Sequence, residues 1–269
     1  VKNAIALFAQ GCTRTQGSDV CSYCTIAGVA DIRIPSREYL IQTAETYKKF
    51  GIDTVFNVTD SVFEMTPVVN ALRQENIRFN AMTIYGRAQG LAKMPHQIDK
   101  WLSVINDRLL INVGMDSGDD NSLKKGVVKS SVTFGSRVSE NHIAVENIKK
   151  IGAHLHYSLI FGSPGETKES CNRSIEFLEW TIQTLGKQLD ICETDIYWLN
   201  FGSPASKLFD SYPYAVHLAS LANKFITPQE WQTHFAAYKN HLFVPIEVEE
   251  SWYRFFTNID LNTAQEYNK

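Results

Sequence analysis

No stretch of the 269 residues stays apolar for the roughly 18 positions that a membrane-crossing helix needs. The first ten residues carry no basic segment ahead of an apolar core, so no secretory signal is expected. The chain does not begin with Met, and its first strand-like run starts almost at once. It is therefore expected to be part of a longer protein. No block of Lys and Arg stands out, no basic stripe alternates with aromatics, and the formal net charge is −3. Nucleic acid is not an expected partner. Cysteine is scarce and odd in number, five in all, at positions 12, 21, 24, 171 and 192. That argues against a secreted disulfide scaffold and for a reducing cytoplasm. Repeats and low-complexity tracts are also missing. What remains is ordinary globular composition, 44% hydrophobic and 20% charged, long enough to bury one large core.

Strand-like runs alternate with amphipathic helical ones. The runs 4–9, 54–58, 78–84, 109–114, 154–161 and 195–199 read as strands. The segments 36–50, 66–75, 96–106, 139–151 and 166–184 read as helices. Ser36 and Ser139 offer starts, and Gly51 and Gly152 sit where a left-handed cap is wanted. Six β-then-α units imply an α/β protein with a parallel sheet, either open and doubly wound or barrel-like; periodicity does not choose. Past Tyr212 the pattern turns aromatic-rich and helical, at 228–241 and 249–256. The expected division is a β/α unit at 1–210 and a short helical appendage at 211–269.

Cys12, Cys21 and Cys24 fall in the loop after the first strand, spaced Cys-x8-Cys-x2-Cys. In parallel β/α architectures such a loop opens at the carboxyl ends of the strands, where active sites lie. Three thiolates hold three irons of a 4Fe–4S cluster and leave the fourth open. Zinc or thiol redox chemistry stands beside that reading at comparable weight, although a zinc site usually has four ligands and no second Cys-x2-Cys pair exists here. Cys171 and Cys192 stand alone in apolar contexts and read as inert buried thiols.

The segment Gly11-Cys12 … Cys21-Ser22-Tyr23-Cys24 resembles the cluster loop of the radical S-adenosylmethionine (SAM) superfamily, with a longer first gap than the common Cys-x3-Cys-x2-Cys. Asn112-Val-Gly-Met-Asp-Ser-Gly118 is similar to its fourth-strand Gly-x-Glu-Ser-Gly, and Leu159-Ile-Phe-Gly-Ser-Pro-Gly-Glu-Thr167 to its fifth-strand Gly-x-Pro-Gly-Glu-Thr. Leu123 with Lys129, and Phe201-Gly-Ser-Pro204, match shorter elements in the same order. The resemblance spans about residues 4–208 and leans toward the branch that often carries a cobalamin-binding domain. It implies a partial (β/α)6 TIM-like barrel with SAM beside a 4Fe–4S cluster held by Cys12, Cys21 and Cys24. It also implies reductive cleavage of SAM to a 5′-deoxyadenosyl radical that abstracts hydrogen from a small-molecule or peptide substrate. A flavodoxin or ferredoxin would supply the electron.

The same resemblance marks Tyr23, Asp116, Ser117, Ile160, Gly162 and Glu166 as cofactor-side residues. The second strand lacks the superfamily's Gly-Gly-Glu, and its Asp60-Ser-Val-Phe63 resembles an Asp-x-x-Phe variant, which places Asp60 near SAM. Arg87 has the bidentate fork to take the SAM carboxylate, or is a surface arginine. Strand parity puts His154, His156, Ser158 and Ile160 on one face, with apolar Leu155, Tyr157, Leu159 and Phe161 on the other. His156 is thus a candidate catalytic residue facing inward, weighed against a hydrogen-bonded structural histidine. Asp116 is expected in phase with Asn112, and Glu166 in the first turn of the next helix. Two alternatives accompany this reading. One is a cobalamin-dependent radical methyltransferase whose cobalamin domain lies outside this chain. The other is a zinc- or cluster-stabilised binding protein without catalysis.

Overall fold

Six short runs of β-forming residues pair side by side, and each is followed by helix. The computed structural model describes residues 2–6, 8, 21, 23–24, 33–57, 62–124, 137–201, 203–241 and 243–269. Its strands are β1 (Asn3–Ala6), β2 (Thr54–Asn57), β3 (Phe79–Arg87), β4 (Ile105–Asp116), β5 (His154–Phe161) and β6 (Leu189–Ile196). All neighbours are parallel, in the order β1-β2-β3-β4-β5-β6. Parallel neighbours need crossovers. These are α1 (Arg37–Lys49), α2 (Thr66–Gln74), α3 (Ala88–Lys93), α4 (His96–Leu102), α5 (Asp120–Lys124), α6 (Val138–Ile151) and α7 (Lys168–Leu185). Four more helices follow the sheet: α8 (Tyr212–Leu221), α9 (Pro228–His234), α10 (Ile246–Phe256) and α11 (Leu261–Tyr267).

The strand order resolves what periodicity left open. A doubly wound sheet reverses direction at a switch point; a strictly sequential order is that of a β/α barrel, here a partial one of six strands. The alternation along β5 separates its faces as expected. Leu155, Tyr157, Leu159 and Phe161 are fully buried under the helices, while His154, His156, Ser158 and Ile160 are half-buried on the lumen side. Removing each of the four outer side chains from water contributes about 1.5–3 kcal/mol before entropy is counted. Registers carry this parity around the barrel, aligning Tyr85, Asn112, His156 and Ile191, then Arg87, Gly114, Ser158 and Glu193.

Local signals worked where a side chain closes a helix end. Ser36 Oγ accepts from the Tyr39 N–H at 3.3 Å. Gly51 and Gly152 have φ of +69° and +76° at the ends of α1 and α6. Other expectations shift. The N-cap of α6 is Arg137, whose side chain makes no capping bond, so Ser139 lies inside the helix. The expected 96–106 helix stops at Leu102, because Ile105 already pairs with Phe79. The sixth strand is Leu189–Ile196 rather than 195–199. Its lumen positions Glu193 and Asp195 and its outer positions Cys192 and Thr194 carry little apolar signal, and pairing with β5 decides it.

The C-terminal helices pack on the carboxyl end of β5 and the loop that follows. α8 buries Ala215, Leu218 and Ala219; α10 buries Val248, Trp252, Tyr253, Phe255 and Phe256. Among the described residues no helix is long and apolar enough to cross a membrane.

Candidate active site

The cysteine turn is tight and local. The Cys24 N–H donates to the Cys21 carbonyl at 3.1 Å, and both residues are half-buried. Tyr23, inside that turn, reaches across the barrel mouth and donates its hydroxyl to Asp116 Oδ1 at 3.3 Å, 93 residues away. The Tyr23 phenol is pushed well above its ordinary pKa by burial first, then by the charge of Asp116 and of the Cys21 and Cys24 thiolates. Cys12 and Asp60 lie outside the described residues. Among those that are described, no three His, Cys, Asp or Glu side chains gather to hold a metal ion.

Asp116 ends β4 in an unusual way. The ladder with β5 skips Met115, so Asp116 pairs with Leu159 instead of continuing the Asn112–His156, Gly114–Ser158 phase. Its φ is +65°, in the left-handed region that Asp tolerates better than most residues, and it is 1% exposed. The expected phase with Asn112 is therefore broken by this bulge, and the bulge is what aims the carboxylate at Tyr23. Ser117 turns the other way. Its hydroxyl sits 3.1 Å from Ser174 Oγ on α7 and accepts from the Asp119 N–H at 3.0 Å.

Glu166 precedes α7 rather than opening it, since Thr167 is the N-cap and Glu169 the first-turn acid. The Glu166 carboxylate folds back on its own loop, accepting from the N–H groups of Gly162 and Ser163. It is 2% exposed. Burial raises its pKa to about 7 against the pull of those two N–H groups, with the Asp119 charge raising it further. Gly162, at φ +93°, needs glycine twice over, because a Cβ there would overlap the Tyr253 ring.

The lumen below holds the remaining candidates. His156 Nε2 is 3.3 Å from Glu193 Oε2, and the imidazole is 13% exposed. Ile160 is half-buried and level with Asp195, whose carboxyl pKa is raised by burial and then by Glu193. Arg87 ends β3 level with Gly114. Phe56 and Tyr85 meet edge to face at 5.9 Å on the opposite wall. Deeper in, His154 Nδ1 is 3.1 Å from Asp190 Oδ1, and Arg108 also pairs with Asp190.

Sequence reading missed Glu193 and Asp195, although their two-residue spacing in phase with His156 was a usable signal once the strand was set at 189–196. It also missed Tyr197, Trp252 and Tyr253, for which there was no local signal. Tyr197 sits edge-on to Tyr23 at 6.5 Å and flat against Trp252 at 4.7 Å.

No family model matches the sequence, and no curated protein matches it. Solved structures do match the fold. One is TsrM from Kitasatospora setae, a radical SAM methyltransferase with cobalamin and a [4Fe-4S] cluster bound (TM-score 0.58, 15% identity, 76% of this chain and 38% of that one). The same enzyme with tryptophan substrate and the SAM analogue aza-SAM gives 0.58 at 16% identity, covering 78% and 39%. SuiB from Streptococcus suis, bound to S-adenosylmethionine, gives 0.51 at 13%, covering 76% and 42%. The chain thus spans about two fifths of the length of these matches. With its sequential six-stranded parallel sheet, the chain shares the fold of these radical SAM enzymes, a partial TIM-like barrel.

Proposed function

We propose that the chain is a radical SAM enzyme whose Cys12, Cys21 and Cys24 hold a 4Fe–4S cluster at the mouth of the barrel. The observation that carries this is the Tyr23–Asp116 hydrogen bond, which ties the cysteine turn to the end of β4. The donor set fits: Cys21 and Cys24 flank one closed turn, half-buried at the carboxyl end of a parallel sheet, and Cys12 supplies a third thiol nine positions earlier in the sequence. Held by these three thiols and reduced, a cluster there would supply the electron for reductive cleavage of SAM and so for hydrogen abstraction from the substrate.

The chain's own residues bind, orient and shield. Asp116 offers a buried carboxylate at the β4 exit, with Asp60 and Arg87 as further contacts for the polar end of SAM. Ile160 and the Gly162 backbone provide the apolar and main-chain wall, and Ser117 and Glu166 act by holding their loops. His156, 3.3 Å from Glu193 in the lumen, would bind a substrate group or exchange a proton with it. A small molecule or peptide would enter there, and a flavodoxin- or ferredoxin-type donor would supply electrons in the cytoplasm. A second reading, cobalamin-dependent radical methyl transfer, is favoured by the fold match to TsrM, whose structure holds cobalamin. The cobalamin would come from outside this segment, since no Asp-x-His-x-x-Gly string occurs in it.

Anaerobic reconstitution with iron and sulfide should give brown protein with about four irons per chain, and reduction with SAM should release 5′-deoxyadenosine. Ala at Cys12, Cys21 or Cys24 should abolish both; Ala at Cys171 or Cys192 should not. Colourless protein with stoichiometric zinc would replace the enzyme with a metal-stabilised binding protein. Methyl transfer that needs added cobalamin would move the second reading to first place.

A further inference from the structure

We infer that Trp252 is a positioning residue of this site: from α10 it sets the tilt of the cysteine turn and the exit of β5 together. The ring is 1% exposed and lies flat on Tyr197, with centroids 4.7 Å apart and planes 3° from parallel. Tyr197 in turn meets Tyr23 edge to face at 85°. Tyr23 is inside the Cys21–Cys24 turn and bonds Asp116, so its ring is held at both ends. The Trp252 indole N–H donates to the Gly162 carbonyl at 3.0 Å, and the Tyr197 N–H donates to the neighbouring Phe161 carbonyl at 2.6 Å. One side chain therefore bonds the loop after β5 directly and reaches the cysteine turn by way of the Tyr197 ring.

Shape alone does not account for this. An aliphatic side chain of similar bulk would fill the space, but ring–ring contacts have preferred orientations and so transmit tilt. The indole N–H also needs a buried acceptor, and Gly162 supplies one. Further bonds secure the same loop: Tyr253 Oη donates to the Phe161 carbonyl at 3.3 Å, Gly165 N to the Phe256 carbonyl at 2.7 Å, and Asn258 N to the Glu166 carbonyl at 2.8 Å.

The inference rests on reading Cys21 and Cys24 as cluster ligands, but its decisive test needs no cluster. Metal-free, reduced protein is treated with iodoacetamide, and alkylation of each cysteine is followed by peptide mass spectrometry. Trp252→Leu should speed alkylation of Cys21 and Cys24 about tenfold, because the turn loses its ring support. Cys192, half-buried on β6, should keep its wild-type rate. Unchanged rates at Cys21 and Cys24, or a rise shared equally by Cys192, overturn the inference. If Trp252→Leu yields no folded protein, Trp252→Phe carries the test. It keeps a ring but loses the N–H and much of the overlap, and a selective rise of about threefold is expected, with none overturning the idea. In reconstituted protein Trp252→Leu should bind iron normally and SAM about tenfold more weakly. Wild-type protein that takes up no iron sinks the cluster reading while leaving the alkylation result interpretable.

Discussion

Glu166 shows how one carboxyl can tie a functional loop to pH. Its folded pKa is about 7 against 4.5 for the free side chain, chiefly because burial disfavours its charge. The folded state therefore holds this proton more tightly than the unfolded state. The associated stability is fully present below pH 4.5 and is lost as pH rises from there to about 7. The full difference is on the order of 3 kcal/mol. Glu166→Gln stays neutral and keeps an oxygen for the Gly162 and Ser163 N–H groups. It should flatten that part of the profile: thermal melts of wild type and variant, matched at pH 5, should diverge by about 5–10 °C at pH 8 in favour of the variant. Parallel melting curves across that range would show that the carboxyl titrates elsewhere.

At the scale of the element, the end of β4 is the instructive case. A bulge at Met115 and a left-handed Asp116 make the strand depart from the ladder where it meets the cysteine turn. Asn tolerates that backbone region and retains an acceptor for Tyr23; Val does neither. Asp116→Asn should unfold in urea within about 0.5 kcal/mol of wild type, and Asp116→Val should lose about 2–3 kcal/mol from strain and a stranded hydroxyl. Equal loss in both would mean that charge, not backbone, governs the position. The motif around Asp116 was legible as sequence, because Gly114 and Gly118 frame it. The bulge was not, because a register shift is a property of two strands at once.

For the whole molecule, the helices after residue 210 bury as well as cover. Trp252 and Phe256 are at most 1% exposed, and their neighbours hydrogen-bond the loop after β5 through main-chain groups. A chain ending at residue 210 would leave the Gly165 N–H and the Gly162 and Glu166 carbonyls without these partners. It should be recovered poorly and melt without a cooperative transition by circular dichroism, whereas residues 1–269 should melt cooperatively. A truncated chain melting cooperatively within about 5 °C of the full one would show that the barrel stands alone.

Much of this protein could be read before any coordinate was known. Strand and helix alternation, the inward face of β5 and the left-handed glycines after α1 and α6 are local properties. They depend on side-chain period, on a missing Cβ or on spacing along one chain. Tertiary structure decided the rest. Strand order chose barrel over doubly wound sheet, and pairing with β5 drew Glu193 into β6, beside His156. The Glu166 carboxylate turned back onto its own loop because two N–H groups lie within its reach. Trp252 came to lie against Tyr197 although 55 positions separate them, because burying α10 brings its indole onto that ring and within reach of the Gly162 carbonyl. Contacts across such separations leave no trace in periodicity, since they are set by how faces pack and not by what neighbours what along the chain.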